Sequence, residues 1–388
     1  MRLGDVGTIV GGGTPSTKIS EYWDGDIPWL TPKDLSIYKE VYVSYGERNI
    51  TKKGLNGSSA RLMPKGSVLF SSRAPIGYIA IAQNDICTNQ GFKSIIPNEN
   101  TSSEYLYYWL KLNKNKIENL GTGTTFKEVS GAVMKNIEID LPDLPTQRSI
   151  SATLSALDDK IAVNNKINSC LEEMAKAIFK SWFVDFEPWG GVMPSEWKEG
   201  IITDIANDII CGKTPSTKIT EYFGENIPFI TIPDMHGKVF VTSTERSLSV
   251  AGESSQKSKT VPPNSICVSC IATAGLVTLT SVSSQTNQQI NTIVCKDEIC
   301  PYFVYLTMND MSDHIKMLGS SGSTTNNLNK GQFSKIELII PESSVMIDFN
   351  HIIKPMFETI KHNQLENTHL AALRDTLLPR LMSGDIEI

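Results

Sequence analysis

Two stretches of the chain carry apolar residues four and three positions apart and almost no glycine, residues 143–187 and 342–384. A sustained spacing of about 3.5 residues places one apolar seam along a helix, and two helices of equal length in one chain are natural partners. The seams align at an offset of 199 without a gap: Ile150, Leu154, Leu157, Ile161, Asn164, Asn168, Leu171, Ala175, Ile178 and Trp182 with Phe349, Ile353, Met356, Ile360, Asn363, Asn367, Leu370, Arg374, Leu377 and Leu381. Pro355 lies inside the second seam and should delay the start of that helix or kink it.

Each seam has two asparagines near its middle, Asn164 and Asn168 in the first and Asn363 and Asn367 in the second. If the helices run antiparallel, the four side chains meet. Buried asparagines cost stability but fix the register, because sliding by one heptad would leave amides facing leucines. The alternative is a bent or frayed centre that exposes them.

The segments on either side of the first seam have a different texture. Residues 1–142 and 191–341 are rich in Gly, Ser, Thr and Pro, with short β-branched runs at 67–70 and 79–82, which are typical of strands and turns. Short helices are expected at 105–112 and 302–308. The predicted fold class is α+β, with two mainly β domains (1–142 and 191–341) separated by two long antiparallel coiled-coil helices, a central one (143–190) and a C-terminal one (342–388).

The two β-rich segments are copies of one another. TPSTKISEY at 14–22 recurs with one change at 214–222, Ile-Pro-Trp at 27–29 as Ile-Pro-Phe at 227–229, Glu-Arg at 47–48 as Glu-Arg at 245–246, and Thr-Asn-Gln at 88–90 as Thr-Asn-Gln at 286–288. The offset drifts from 200 to 198, as small loop deletions would make it. The whole chain is therefore predicted to be two copies of one unit.

Composition limits the kind of protein. The 388 residues exceed one ordinary domain, and the net charge of −6 argues against a protein that coats polyanions generically. The first β domain nevertheless has a net charge of +2, against −3 for the second and −2 and −3 for the helices. Seven cysteines, an odd number, form no disulfide framework, and no apolar run approaches a membrane span. We expect a soluble protein of the cytoplasm.

Signatures of catalysis and metal binding are incomplete. Gly212-Lys213-Thr214 resembles the end of a phosphate loop, but Asn207 stands where the earlier glycine is needed. Cys267 and Cys270, with Cys295 and Cys300, suggest zinc, yet the first copy has Leu69, Ser72, Pro97 and Ser102 at those positions. We therefore predict no catalytic residue and no metal site in this chain.

Residues suited to binding are better represented, and many are duplicated. Lys18 and Lys218 follow matching Gly/Thr/Pro/Ser turns, whose amides and hydroxyls suit an anion such as phosphate. A surface lysine after a capping turn is the alternative reading. Matching Gly/Ser/Thr loops at 121–127 and 319–327 offer many short donors for a sugar-phosphate backbone, with a linker role as the alternative. Asparagine and glutamine amides can bond an adenine edge, with a turn role as the alternative. The candidates are Lys18, Lys33, Arg73, Asn89, Gln90, Thr124, Thr125, Lys127, Lys218, Asn287, Gln288, Thr324, Thr325 and Asn326.

Several motifs together resemble the specificity (S) subunit of a Type I restriction-modification enzyme, over essentially the whole chain. They are Gly-Gly-Thr-Pro-Ser at 12–16, Tyr-Trp at 22–23 with Ile-Pro-Trp at 27–29, Arg73 with Ile76-Gly77, Thr-Asn-Gln-Gly-Phe at 88–92, Leu-Pro at 141–142 leading into Gln147-Arg148, and Leu-Leu-Pro-Arg-Leu-Met-Ser-Gly at 377–384. The resemblance implies two target-recognition domains, each reading one half of a bipartite asymmetric DNA site, and two helices that set the spacing. About 38 helical residues would span roughly 57 Å, comparable with some 17 base pairs.

The same resemblance implies partners. The family's subunit has no activity alone and assembles on double-stranded DNA with two methyltransferase subunits, which use S-adenosylmethionine, and with restriction and translocase subunits, which use ATP and Mg. The sequence departs from the pattern at Met346-Ile347, where the first copy has Gln147-Arg148, and lacks a counterpart of 194–197 before Leu3, so we expect a few N-terminal residues to be missing. A duplicated carbohydrate- or peptide-binding scaffold without a nucleic-acid role is the alternative.

Overall fold

A computed structural model describes residues 1–36, 38, 40–123, 127–320 and 327–387, with only the backbone of Ser320. The chain divides into two compact units. Unit 1 comprises residues 1–162 and 370–388, and unit 2 comprises residues 163–369. Each unit thus combines one β-rich segment with parts of both long helices. The predicted segment boundaries at 142, 190 and 341 stay predictions.

The elements up to the first long helix form most of unit 1. The strands are β1 Gly7–Gly11, β2 Trp23–Leu30, β3 Tyr42–Val43, β4 Arg48–Ile50, β5 Val68–Ser72, β6 Ile76–Ala82, β7 Cys87–Thr88 and β8 Lys93–Pro97. The helices are α1 Leu3–Val6, α2 Pro32–Ser36, α3 Lys52–Asn56, α4 Ser103–Leu112, α5 Lys114–Asn119, α6 Gly131–Asn136 and the long α7 Leu144–Phe183, with a 3-10 turn at Ser20–Tyr22.

Unit 2 repeats this order. Its strands are β9 Lys198–Ile201, β10 Ala206–Cys211, β11 Phe223–Gly224, β12 Ile227–Ile230, β13 Phe240–Val241, β14 Arg246–Leu248, β15 Ile266–Ser269, β16 Val277–Thr280, β17 Gln285–Thr286, β18 Ile290–Cys295 and β19 Glu337–Ile340. Its helices are α8 Ile202–Ile205, α9 Ile232–Met235, α10 Val250–Ser254, α11 Pro301–Asp310, α12 Ser312–Ser320, α13 Lys330–Phe333 and the long α14 Ser343–Met382, with 3-10 turns at Glu187–Trp189, Thr220–Tyr222 and Lys257–Lys259.

The sheets confirm the repeat. Each unit has a five-stranded sheet, in the order β1-β8-β5-β6-β3 or β10-β18-β15-β16-β13, which is the same order at equivalent positions. Each also has a smaller sheet, β4-β2-β7 or β11-β14-β12-β17. The short helices expected at 105–112 and 302–308 are α4 and α11. The predicted α+β class is confirmed.

The two long helices follow the predicted seam, since none of its twenty positions is exposed. In unit 2, Asn164 bonds Asn367 and Asn363 bonds Asn168, so the helices run antiparallel there. The expectation that Pro355 delays the second helix is wrong, because α14 begins at Ser343. Buried apolar side chains flank the proline on both sides, Phe349 and Ile353 before it and Phe357 and Ile360 after it. Their packing offsets the hydrogen bond that proline removes.

Both long helices contribute side chains to the core of each unit. In unit 1, Ile150 and Leu154 of α7 and Leu378 and Leu381 of α14 belong to one buried cluster with the aromatic face of α4. In unit 2, the cluster joins Ala175 and Phe179 of α7 with residues of α14, α11 and the five-stranded sheet. The β domains are therefore built directly on the helices.

Gln147 connects the start of α7 to the β domain of unit 1. Its amide nitrogen donates to the carbonyl oxygens of Asn100 and Pro142 at 3.0 and 2.8 Å, and its carbonyl oxygen accepts from the Ser102 amide at 2.9 Å. At the equivalent site in unit 2, Met346 is buried. Both side chains fix the beginning of a helix, one by hydrogen bonds and one by packing.

Candidate nucleic-acid interface

In each unit, two loops meet beside the small sheet. We call residues 12–18 and 212–218 the Thr-Pro loops, and residues 88–91 and 286–289 the Asn-Gln loops. In unit 1 the backbone amide of Gly13 donates to the Thr88 carbonyl oxygen at 2.9 Å, and the Thr14 hydroxyl bonds the side-chain oxygen of Gln90. The Asn-Gln loop directly follows β7, the last strand of that sheet. Two distant sequence motifs thus form one surface.

Unit 2 has the same arrangement. The amide of Lys213 donates to the Thr286 carbonyl oxygen at 2.9 Å, and the Thr214 hydroxyl donates to Gln288 Oε1 at 2.7 Å. These contacts match those of unit 1 atom for atom. The duplication in sequence is therefore also a duplication of loop geometry.

A glycine allows the two loops to approach in each unit. A Cβ atom on Gly12 would lie 2.0 Å from the Asn89 carbonyl oxygen, and one on Gly212 would lie 2.2 Å from that of Asn287. Real Cβ atoms do not come so close to backbone oxygen, so only glycine fits. A Cβ atom on the neighbouring Gly11 would make only an ordinary van der Waals contact, with Lys93 Cδ at 4.0 Å.

Different side chains hold the Thr-Pro loop in the two units. In unit 1 the indole nitrogen of Trp29 donates to the Gly13 carbonyl oxygen at 2.9 Å. In unit 2 the equivalent aromatic residue is Phe229, which cannot donate, and Gln256 Nε2 donates to the Lys213 carbonyl oxygen at 2.7 Å instead. The same loop carbonyl is therefore satisfied by two unrelated donors.

The paired loops bring several predicted residues together. Lys18 and Gln90 in unit 1, and Lys218 and Gln288 in unit 2, are exposed on these loops. Asn89 and Asn287 are used differently: the side-chain oxygen of each accepts a hydrogen bond from the backbone amide two residues later, at 2.8 and 3.0 Å. This is a turn-stabilising role, the alternative reading at these positions. Contact of the asparagines with a base stays a prediction.

A charged cluster lies next to the Asn-Gln loop in unit 1. Glu128 pairs with Lys93 at 3.1 Å and with Arg73 at 3.6 Å, and the Ser72 amide beside Arg73 donates to the Gly91 carbonyl oxygen at 2.7 Å. The equivalent residues in unit 2 are Ile271, Asn291 and Asn327, which carry no charge. The two units therefore share a frame and differ strongly in chemistry beside it.

The other candidates are more scattered. Lys33 pairs with Glu47 at 2.9 Å on an exposed surface, and Lys127 is exposed next to Glu128. The remaining candidates lie outside the described residues: Thr124, Thr125, Thr324, Thr325 and Asn326.

The four seam asparagines meet in unit 2. Asn164 Nδ2 donates to Asn367 Oδ1 at 2.9 Å, Asn363 Nδ2 donates to Asn168 Oδ1 at 2.8 Å, and Asn367 Nδ2 donates to Asn165 Oδ1 at 2.8 Å. Asn164, Asn168 and Asn363 are buried. The amides thus pair with one another as antiparallel helices require, while their role in fixing the register stays a prediction.

The cysteines lie in the interior of the units for the most part. All seven are free thiols, and burial raises the pKa of Cys87, Cys267 and Cys295 to about 12. Within the described ranges, no group of three or more His, Cys, Asp or Glu residues is placed to hold a metal ion. In the same part of the chain, no helix has both the length and the apolar character needed to cross a membrane.

Each unit carries one loop surface with exposed amine, amide and hydroxyl groups, a duplication that is typical of a protein with two equivalent binding sites. Residues 1–173 and 194–374 each match the family described as Type I restriction modification DNA specificity domain. The Type I restriction enzyme MjaIX specificity subunit of Methanocaldococcus jannaschii is 34% identical over 418 residues, covering 100% of this chain and 93% of that protein. The HindI specificity subunit of Haemophilus influenzae is 34% identical over 86% of this chain and 89% of its own length.

A solved structure shows the same fold. The S subunit of a Type I restriction-modification system from M. genitalium superposes with a TM-score of 0.64 at 16% identity, covering 98% of this chain and 95% of that one. The chain belongs to the family of Type I restriction-modification specificity subunits. This membership confirms the resemblance and decides against the carbohydrate- or peptide-binding scaffold.

Proposed function

We propose that the chain recognises a bipartite, asymmetric site on double-stranded DNA, with each unit reading one half. The observation that carries this proposal is the loop pair built twice with different neighbours. The frame is the same in both units, but Arg73, Lys93 and Glu128 of unit 1 correspond to neutral residues in unit 2. Equivalent surfaces with different donors and acceptors suit two different base sequences.

Within each surface we assign two kinds of contact. Lys18, Lys218 and Lys127 bind backbone phosphates, because an exposed ammonium is a point charge without base preference. Gln90 and Gln288 read base edges, since a carboxamide bonds adenine N6 and N7 together. Arg73 adds a guanidinium for a guanine edge or a phosphate in unit 1 only, and Lys33 adds positive charge there. Thr124, Thr125, Thr324, Thr325 and Asn326, which lie outside the described residues, stay candidates for DNA contact on the sequence alone.

The long helices set the spacing between the half-sites in this proposal. The support is that each helix runs for 40 residues without interruption and enters the core of both units. The paired asparagines fix one register, because a heptad slip would bury unpaired amides.

Catalysis belongs to partner subunits in this proposal. Two methyltransferase subunits transfer a methyl group from S-adenosylmethionine to adenine, and restriction and translocase subunits use ATP and Mg to cleave DNA. The chain itself supplies sequence recognition and holds no cofactor. Its net charge of −6 supports this division, because an acidic protein binds DNA weakly unless its partners hold the phosphates. The isolated chain should therefore bind DNA poorly.

A mobility-shift assay tests the proposal. The complex of this chain with its modification subunits is titrated against four duplexes that carry both half-sites, either half-site alone, or neither. We expect full affinity only for the duplex with both halves. Full affinity for a single half-site would contradict bipartite recognition, and equal affinity for all four duplexes would contradict sequence recognition altogether.

A further inference from the structure

Arg48 of unit 1 lies on an aromatic platform. It is the first residue of β4 and pairs across the strands with Trp29 of β2. Its guanidinium carbon is 3.6 Å from the centre of the Trp23 ring, and Trp23 meets Trp29 edge to face at 5.1 Å. A guanidinium on an indole face is held by a cation–π interaction and keeps its N–H groups free at the edge.

Arg246 occupies the same place in unit 2. It is the first residue of β14, pairs across the strands with Phe229 of β12, and lies 5.9 Å from the ring centres of Phe223 and Phe229. Both tryptophans of unit 1 are thus replaced by phenylalanines, while the arginine is unchanged. The platform is retained although the rings that form it differ.

An aspartate fixes the strand end that carries each arginine. Asp34 Oδ1 accepts from the Glu47 amide at 2.8 Å, and its other oxygen accepts from the Thr31 amide at 2.6 Å. Asp234 makes the same bonds to Glu245 and Thr231, both at 2.8 Å. Because the residue preceding each arginine is held by its backbone, the position of the guanidinium is set by the fold.

Each arginine lies beside the Thr-Pro loop. In unit 1 the Trp23 indole nitrogen donates to the Ser16 carbonyl oxygen at 3.1 Å, which joins the platform to the loop that carries Lys18. In unit 2 an open groove of about 550 Å³ is lined by Thr217 of the loop, by Phe223 and by Arg246, and two carboxylates, Glu225 and Glu245, line it as well. The arginine is thus part of the same surface as Lys18 or Lys218.

Both guanidiniums are available for a ligand. Arg48 and Arg246 are exposed, and no carboxylate among the described residues forms an ion pair with either. Arg73, by contrast, is paired with Glu128. An exposed and positioned arginine without an ion-pair partner among the described residues suits an oxyanion with two charged oxygens.

We propose that Arg48 and Arg246 each bind a backbone phosphate of the DNA, as equivalent clamps in the two units. This inference rests on the proposed function and adds two residues to it. Phosphate is favoured over a base because the same residue is kept at the same place in two units that differ elsewhere at the site. A contact common to two different half-sites carries no sequence information, and phosphate contacts are of that kind.

The salt dependence of binding tests the inference. We measure affinity against salt concentration for the complex with its modification subunits, on a duplex that carries the mapped site and on one with a scrambled sequence. The variants are Arg48→Ala, Arg246→Ala and Arg48→Lys. The matched control is Lys116→Ala, which removes one exposed charge of unit 1 from α5, a helix that packs against α4 and β6. A thermal melt of each variant confirms that it folds.

Log affinity falls linearly with log salt concentration, and the loss of one phosphate contact makes this negative slope shallower by about 0.9. We expect this reduction for each alanine variant on both duplexes, an unchanged slope for Arg48→Lys, and no change for Lys116→Ala. Alanine variants that match the control, or that lose affinity without a change of slope, would overturn the clamp while leaving DNA recognition intact. A wild-type complex that does not distinguish the mapped site from the scrambled one would instead overturn the proposed function.

Discussion

The side-chain amide of Asn363 donates a 2.8 Å hydrogen bond to the side-chain oxygen of Asn168, and both residues are buried between the two long helices. With the Asn164–Asn367 bond, this contact places polar groups in a seam whose other positions are apolar except for Arg374. Such pairs discriminate between registers because only one alignment satisfies them.

We predict that Asn168→Leu lowers the free energy of unfolding by about 1–3 kcal/mol, because it leaves the buried Asn363 amide unpaired. Adding Asn363→Leu should recover that loss, since an apolar pair suits the seam. Urea unfolding of the two single variants and the double variant measures the coupling.

Replacing all four seam asparagines by leucine should raise the melting temperature while relaxing the discrimination between spacer lengths. Unchanged discrimination would show that the amides do not set the register.

A second relationship distinguishes the two units. In unit 1, Arg374 of α14 pairs with Asp158 of α7, and the Tyr108 hydroxyl donates to Asp158 at 2.7 Å. At the offset of 199, unit 2 has Phe357 and Ala175, both fully buried. One unit thus joins its helices by a part-buried ion pair and the other by apolar packing.

We predict that Arg374→Ala destabilises the protein by about 1–3 kcal/mol, because the part-buried Asp158 carboxylate loses its cation and keeps only the hydrogen bond from the Tyr108 hydroxyl. The double variant Asp158→Phe with Arg374→Ala copies the residues of unit 2 and should cost less than the single variant. Thermal or urea unfolding compares them. A double variant less stable than Arg374→Ala would mean that the site cannot accept the packing used by unit 2.

Gly11 and Gly12 allow a matched comparison of substitutions where the Thr-Pro loop contacts the Asn-Gln loop. Gly12→Ala should disrupt the contact between the Thr-Pro and Asn-Gln loops, since its Cβ would meet backbone oxygen at 2.0 Å. Gly11→Ala, one residue earlier, has space for its Cβ and should leave DNA binding unchanged. Affinity of the complex for its target, with a melt for each variant, measures the difference. Equal effects of the two substitutions on affinity would contradict a role in DNA binding for the contact between the Thr-Pro and Asn-Gln loops.

We predict that the free energy of unfolding falls at alkaline pH. The thiols of Cys87, Cys267 and Cys295 have a pKa of about 12 in the folded chain because of burial, against an ordinary value of 9.0. Above pH 9 the unfolded chain releases these protons while the folded chain keeps them, so stability is complete below pH 9 and is lost as the pH rises. Each thiol contributes a loss of up to about 1.4 kcal/mol per pH unit. Urea midpoints at pH 7.5, 8.5, 9.5 and 10.5 check this, and Cys267→Val should make the decline shallower. A constant midpoint would contradict it.

The fold could be predicted from the sequence wherever a sequence pattern recurs. The seam spacing and the recurrence of TPSTK at 14–18 and 214–218 predict the helices, their pairing and the two copies of one domain. The expectation that Pro355 delays the start of the helix was wrong because packing overrides local propensity: buried Phe349, Ile353, Phe357 and Ile360 flank it within α14. The alternative, a kink at Pro355, stays a prediction.

The candidate site was harder to predict from the sequence, because its contacts join positions that are distant in the chain and use different residue types in the two units. Nothing in the sequence relates Trp29 of unit 1 to Gln256 of unit 2, yet both bond the same loop carbonyl. Arg48 and Arg246 were visible only as part of the recurrent Glu-Arg pair, and the aromatic platform that distinguishes them comes from strand pairing. A search for recurrent cations beside recurrent aromatics would have found them.

We have proposed that each unit reads one half of a divided DNA site. Long-read methylation mapping in cells that carry the complete system tests it most directly, with wild-type protein, Gln90→Ala and Gln288→Ala compared. We expect one methylated motif with two defined halves and a fixed spacer, with Gln90→Ala relaxing the sequence of one half and Gln288→Ala relaxing only the other. A continuous, undivided motif, or a motif in which both variants relax the same half, would contradict the account.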